Sequence, residues 1–234
     1  ETSQGAVWLG GGGGLFQLVD DKLVSQRDKL RGRIRSIVEG INNDLWISTF
    51  DKGLFHFNLN EGKALKEELE IDFSKHVFKD RSNTLWVAGR NGLLYSNLNS
   101  KNFRTLPIHR KGLVRSLLAT NEKVYYGLRT DRFYAYSFRN KLNKPIEIRN
   151  DAKPLRVDTL NGKIHLATTK GLYKKHSEVS DEFDLVPIFN GAADNNLLIT
   201  SFCKDTFGNQ FFGSFRGLII KNKSYTNWVH EQFQ

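Results

Sequence analysis

Methionine is absent from the 234 residues, cysteine occurs once and proline four times. A single cysteine, Cys203 in "LLITSFCKD", excludes an internal disulfide, and its apolar neighbours predict a buried, inert thiol rather than a nucleophile. So few prolines exclude a Pro-rich linker, and no apolar run approaches the roughly 20 residues that a membrane-crossing helix needs. A chain that opens on Glu1 and holds no Met is expected to be a mature or excised piece of a longer product. No block of like charge is present either: 35 Lys plus Arg stand against 25 Asp plus Glu, a net +10 spread through the chain. That distribution excludes a basic tail, and the sign points to anionic partners such as nucleic acid, lipid headgroups or acidic polymers.

Catalytic signatures are missing as well. There is no HExxH or comparable metal-ligand spacing and no Gly-x-Ser-x-Gly elbow. "GGGGG" (10–14) is not followed by Lys-Ser or Lys-Thr, so it reads as a flexible or closely packed turn and not as a phosphate cradle. Of the histidines, His56 falls on an apolar run, His165 in a core position, and His109, His176 and His230 outside any cluster. The chain is therefore expected to be no enzyme, with no cofactor and no metal. The sequon at Asn222 is of a kind that chance supplies. No basic recognition helix or aromatic-basic module supports nucleic-acid binding.

What the chain does contain is a repeat. "AVWLG" (6–10), "DLWIS" (44–48), "TLWVA" (84–88), "KVYYG" (123–127), "KIHLA" (163–167) and "NQFFG" (209–213) align on Trp8, Trp46, Trp86, Tyr125, His165 and Phe211. The separations are 38, 40, 39, 40 and 46 residues. Each anchor is followed two residues later by a small one, Gly10, Ser48, Ala88, Gly127, Ala167 or Gly213. A few residues beyond comes Gly14, Gly53, Gly92, Gly171 or Gly217 before a second apolar run, with Arg132 in the fourth unit. Two β-rich runs joined through a Gly read as a hairpin, and Arg132 implies an altered turn. A further run precedes every anchor but the first, such as "RIRSIVEG" and "KHVFKD", and a weaker one follows each hairpin, such as "NFRTLPI" and "YTNWV".

Four antiparallel strands repeated about every forty residues predict an all-β protein, a β-propeller of four-stranded blades with six repeats visible. Residues 1–234 form a single propeller domain or a fragment of one, within a seven-bladed ring or a larger ectodomain. The large anchor fills the wedge between blades, and the small residue stands where strands approach closely. The first unit begins at its second strand, so its inner strand must come from the C-terminal end, a missing segment or a partner.

"EGINNDLWISTFDKGLFHFN" (39–58) and "KDRSNTLWVAGRNGLLYSN" (79–97) resemble the two-component regulator propeller repeats of bacterial sensors, especially the periplasmic sensor regions of hybrid two-component systems. The later units depart from that pattern at Tyr125, His165 and Phe211. The resemblance implies a periplasmic ligand-sensing propeller that detects an oligosaccharide, allows a homodimer, and meets the membrane only through downstream segments not contained in this chain. The alternatives are a protein-interaction scaffold without small ligand and a propeller lyase.

Within such a fold, the loops entering the inner strands and the loops between second and third strands share one face. Arg35, His76, Arg115 and Arg156 stand at the starts of the inner runs, and Lys52, Arg90, Arg129, Lys170 and Arg216 at the hairpin turns. As a ring these would hold an anionic ligand and tilt the sensed oligosaccharide toward an acidic one. The bland reading is that ordinary turn charges are solvated there. Phe50 and Phe215 occupy matching turn positions, suited either to stacking on sugar rings or to packing.

Overall fold

The computed structural model describes residues 1–69, 76–90, 92–108, 112–129, 132–187, 197–221 and 228–231. Among these described residues, apart from one turn of 3-10 helix at Arg149–Asp151, the regular structure is entirely β. The chain divides into two compact units, Glu1–Val114 and Arg115–Gln234.

The first unit holds a three-stranded sheet of β1 (Val7–Gly11), β2 (Gly14–Val19) and β3 (Lys22–Ser25). It also holds two four-stranded sheets. One is β4 (Ile34–Glu39), β5 (Asp44–Thr49), β6 (Gly53–Asn58) and β7 (Lys63–Glu67); the other is β8 (His76–Lys79), β9 (Thr84–Ala88), β10 (Leu93–Asn97) and β11 (Arg104–Thr105). The second unit repeats the four-stranded form three times. Its sheets are β12 (Val114–Ala119) with β13 (Lys123–Leu128), β14 (Phe133–Ser137) and β15 (Asn143–Ile146); β16 (Pro154–Leu160) with β17 (Lys163–Thr168), β18 (Gly171–Lys175) and β19 (Phe183–Val186); and β20 (Ile199–Lys204) with β21 (Gln210–Ser214), β22 (Gly217–Lys221) and β23 (Trp228–Glu231). Strands follow chain order across every sheet, the up-and-down blade of a β-propeller, so the six repeats correspond to six blades. Blade 1 lacks an inner strand among the described residues, as the repeat predicts.

Turn chemistry explains the boundaries. The hairpin glycines Gly14, Gly53, Gly92, Gly171 and Gly217 all have φ between 94° and 150°, where a Cβ is disfavoured. Arg132 is not among the positive-φ residues, and its carbonyl instead accepts the Leu128 amide at 2.8 Å. Asn43 (φ 51°) and Asn83 (φ 58°) take the left-handed conformation that "INND" and "RSNT" foreshadow.

Blades pack through their repeated residues. Trp46 and Leu54 of blade 2 bury against Val77, Leu85 and Val87 of blade 3. Leu15 of blade 1 meets Ile34, Leu45 and Ile47 of blade 2, with Trp8 edge-on to Phe57 at 5.7 Å. In the second unit, Ala167 and Leu172 of blade 5 join Ile199, Phe202 and Phe212 of blade 6. His165 is buried, as expected of an anchor, with Nδ1 bonded to the Lys163 carbonyl at 2.9 Å. The small residue after the anchor also has a measurable cause. A Cβ on Gly10 would lie 2.2 Å from Ile34 Cγ2, at the start of the next blade, and one on Gly127 would lie 3.0 Å from Pro154 Cβ, in the same relation.

Cys203 corrects the sequence reading, because it is exposed. It pairs with Phe211 across the sheet, while its neighbours Phe202 and Phe212 carry the face that meets blade 5. Alternation along β20 therefore turns the thiol to the other face. Asn222, His109 and the start of "YTNWV" lie outside the described residues.

Candidate functional site

The anticipated basic positions sit where the first strand of a blade begins and where its second strand turns into its third. Three of these hairpins are braced by the same hydroxyl device. Thr49 Oγ1 donates to the Gly53 carbonyl at 2.9 Å and accepts the Lys52 amide at 3.0 Å. Thr168 does so with Gly171 and Lys170, at 2.8 and 3.1 Å, and Ser214 with Gly217 and Arg216, at 2.9 and 3.1 Å. Each brace fixes a basic residue just before the positive-φ glycine. The signal was available as a hydroxyl three residues after Trp46, His165 and Phe211. Arg90 and Arg129 fall earlier in their turns, at the place that Phe50 and Phe215 hold.

The inner-strand candidates also separate into two sets. In blade 2, Ile34 pairs with Thr49 and Ser36 with Ser48, so Arg35 is the extra residue of a β-bulge. In blade 5 the bulged residue is Leu155, and Arg156 pairs opposite Ala167. His76 likewise pairs opposite Ala88, and Ser116 packs against Gly127. Arg35 and Arg115 therefore share one position, while His76 and Arg156 share the next, together with Ser36 and Ser116. Arg156 Nη2 is moreover bonded to Asp158 Oδ2 at 2.8 Å, which ties its charge along the strand. Arg115, Arg129 and Arg216 are exposed.

Blade 2 is where charge and an aromatic ring come together. The Phe50 amide donates to the Arg33 carbonyl at 2.8 Å, which sets the ring beside the entry to β4. Arg33 Cζ lies 4.2 Å from the ring centroid and Arg35 Cζ 4.9 Å. A Cβ on Gly32 would meet Thr49 Cγ2 at 3.3 Å and Lys52 Cδ at 3.7 Å, so the entry loop lies against the hairpin turn. Arg31, Arg33, Arg35 and Lys52 are all exposed, with Asp51 the acidic residue of the turn. Two guanidinium groups held by one ring retain their donors for a ligand, because the π-face contact uses no N–H. Sequence reasoning missed Arg33, and it left Phe50 between stacking and packing. By contrast Phe215 is 83 % exposed.

Other polar clusters are less suited to ligands. His56 Nε2 is bonded to Asp44 Oδ2, and its Nδ1 faces Lys101 Nζ at 3.3 Å, a cation where a nucleophile would have to stand. In blade 5, Lys175 Nζ donates to the Ser177 and Glu178 carbonyls at 2.5 and 2.8 Å, and burial lowers its pKa. Lys123 Nζ reaches both Asp181 oxygens at 2.7 Å, and Tyr125 OH donates to the same carboxylate at 3.2 Å. Burial, followed by the Asp181 charge, raises the Tyr125 pKa strongly. A pocket of about 340 Å³ lies on blade 3, lined by Thr84, Tyr95, Asn97, Asn102 and Arg104 among others. Among the described residues no three His, Cys, Asp or Glu side chains come together to hold a metal. No described helix is long and apolar enough to cross a membrane.

No family model and no curated protein matches the chain by sequence. Solved structures do match. The extracellular domain of one hybrid two-component system of B. thetaiotaomicron aligns with a TM-score of 0.80 at 16% identity, over 100% of this chain and 34% of that one. A second from the same organism gives 0.79 at 21%, over 100% and 32%. A catalytically inactive virginiamycin B lyase from Staphylococcus aureus gives 0.70 at 14%, over 91% and 75%. The chain spans about a third of the length of the two sensor domains. At these identities the likeness establishes the fold, a β-propeller of the kind found in the extracellular domains of hybrid two-component systems.

Proposed function

We propose that this chain is the ligand-sensing propeller of an extracytoplasmic sensor region in a two-component system, and that it responds to an acidic oligosaccharide. The observation that carries the ligand class is the Arg33–Phe50–Arg35 arrangement beside Lys52. Paired guanidinium donors match sulfate and carboxylate groups. The net charge of +10 adds long-range attraction for an anionic ligand. The sensor role is supported by the fold shared with the two extracellular domains. On this reading the periplasmic propeller performs no chemistry, and any phosphotransfer belongs to other parts of the protein. Sheets locked by interblade cores leave little room to deform internally, so the ligand acts by shifting how two subunits pack.

Calorimetric titration with matched neutral, uronic and sulfated oligosaccharides, repeated across a salt series, tests the proposal. Binding of the acidic sugars that weakens as salt rises is expected. Salt-insensitive binding confined to the neutral sugars would remove the acidic ligand class.

A further inference from the structure

The pocket of about 340 Å³ on blade 3 is built on one face of a single sheet. Tyr95 pairs with Trp86 on one side and with Arg104 on the other, and Asn97, two residues along β10, pairs with Thr84. Alternation along the strands therefore places Thr84, Tyr95, Asn97 and Arg104 on the same face. Ser100 and Asn102, from the loop between β10 and β11, complete the polar lining. Tyr95 stacks on Trp86 with 5.3 Å between ring centroids, and Trp86 is itself fixed by its 2.8 Å bond to Asp80. The ring is thus held in place before any ligand arrives, which lowers the cost of ordering the site.

Blades 2, 4 and 5 spend the same positions on internal bonds. In blade 2 the equivalents of Thr84 and Tyr95 are Asp44 and His56, which are bonded to each other. In blade 4 the equivalent of Thr84 is Lys123, whose Nζ is held by both Asp181 oxygens at 2.7 Å. In blade 5 the equivalents of Asn97 and Arg104 are His176 and Asp184, joined at 2.6 Å. Blade 3 differs. Asn97 Oδ1 accepts the Asn99 amide at 2.9 Å, which leaves the Asn97 Nδ2 donors unused, and neither Asn102 nor Arg104 has a side-chain hydrogen bond among the described interactions.

That inventory selects a ligand. Two amides and a guanidinium donate, the hydroxyls of Thr84, Tyr95 and Ser100 can donate or accept, and no carboxylate lines the pocket. A cation finds no counter-charge there, and a nucleobase or apolar group finds one aromatic ring without a second apolar wall. Asparagine amides, each a donor beside an acceptor, suit adjacent hydroxyls, while the fork of Arg104 suits a single carboxylate. The volume lies at the low end of the roughly 300–1,000 Å³ of small-molecule sites, which fits one ring better than a chain. We infer that the blade 3 pocket binds one uronic acid unit, with its carboxylate on Arg104 and its ring hydroxyls on Asn97 and Asn102. The β10–β11 loop stands at the other end of β10 from the turn that carries Arg90, so this site shares the acidic-sugar class of the proposed function but none of its residues.

The test uses the whole chain, labelled with nitrogen-15, titrated with galacturonate, glucuronate, the neutral parents galactose and glucose, and acetate. One or both uronates are expected to shift the side-chain amide signals of Asn97 and Asn102 and the Arg104 Nε–H signal, saturating at concentrations on the order of millimolar, with the neutral parent about tenfold weaker. Acetate should leave the two asparagine amides unmoved. Arg104→Gln should weaken the uronate about tenfold and leave the neutral sugar as it was, whereas Asn102→Ala should weaken both, and neither exposed substitution should shift the melting curve. The inference is overturned if no sugar moves these signals, if the neutral parent matches the uronate, or if acetate reproduces the shifts. It is equally overturned if the shifts vanish in Arg35→Ala, since they would then be secondary to blade 2. Persistence of the blade 3 shifts in Arg35→Ala supports it, and does so even if titration shows no acidic sugar at Arg33, Arg35 and Lys52, so the two sites stand or fall separately.

Discussion

Gly40 and Asp44 compete for one space: a Cβ on Gly40 would lie 2.1 Å from Asp44 Oδ1. Blade 3 solves the same corner the other way round, with Asp80 in place of Gly40 and Thr84 in place of Asp44. There Asp80 Oδ1 accepts the Ser82 and Thr84 amides, each at 2.9 Å, and Oδ2 accepts Trp86 Nε1. In blade 2 the carboxylate comes from Asp44 and is turned to His56, which leaves Trp46 Nε1 unpartnered.

Gly40→Asp alone is therefore expected to destabilise the chain by about 2–3 kcal/mol through overlap and the apposition of two carboxylates. Asp44→Thr alone loses the His56 bond. The double variant rebuilds the corner of blade 3 and gives Trp46 Nε1 an acceptor, so it should recover about 1–3 kcal/mol relative to additivity. Urea denaturation of the four proteins reads this coupling directly, and strict additivity would show that the two corners are not interchangeable.

The small residues after the anchors should rank by what they touch. An alanine at position 10 would sit 2.6 Å from Ile34 Cβ, a stiff β-branched centre at the base of its side chain. An alanine at position 213 would sit 2.7 Å from Ser201 Oγ, a hydroxyl that can rotate away. Gly10→Ala is expected to cost about 1–3 kcal/mol, and Gly213→Ala less than about 1 kcal/mol, in the same denaturation assay.

The blades were legible because each demands the same solution: a bulky anchor in a wedge, a small residue under the next blade and a glycine at the turn. Trp46, Ser48 and Gly53 state that solution within eight residues. The basic positions were less legible, because bulges at Arg35, Leu155 and Thr200 each add a residue to one strand only. Counting back from the anchor then places Arg35 and Arg156 at one site when the register separates them. Cys203 was misplaced for a related reason. Its apolar neighbours are real, but Cys203 and Phe202 face opposite ways on β20, and it is Phe202 that joins the cluster with blade 5.

His165 predicts an acid-side weakness. Burial lowers its pKa from the ordinary value of about 6.5, outweighing the Lys163 carbonyl bond that favours the protonated ring. As pH falls through that ordinary value, the unfolded chain takes up a proton that the folded chain resists. Stability therefore falls with falling pH, and this contribution levels off once the folded ring also protonates. His165→Phe, which mimics the Phe211 anchor, should remove the effect, so that the stability difference between wild type and variant changes between pH 7 and 5. A difference constant across that range would mean that the ring protonates equally in both states.

The basic candidates should contribute unequally to binding. Arg33 and Arg35 share the Phe50 ring, Lys52 lies at the adjoining turn, and none of the three is tied to a carboxylate among the described interactions. Arg156 is bonded to Asp158, so its release to a ligand would first cost that pair. Titrating a sulfated oligosaccharide, Arg33→Ala and Arg35→Ala are each expected to weaken binding about tenfold, Lys52→Ala by less, and Arg156→Ala hardly at all. Arg35→Lys should recover only part of the loss, because an ammonium keeps the charge but not the forked donors. Phe50→Leu should weaken binding although it removes no charge, since both guanidinium groups lose the surface that orders them. If Arg156→Ala proves as damaging as Arg35→Ala, the blade 2 cluster is not the principal site.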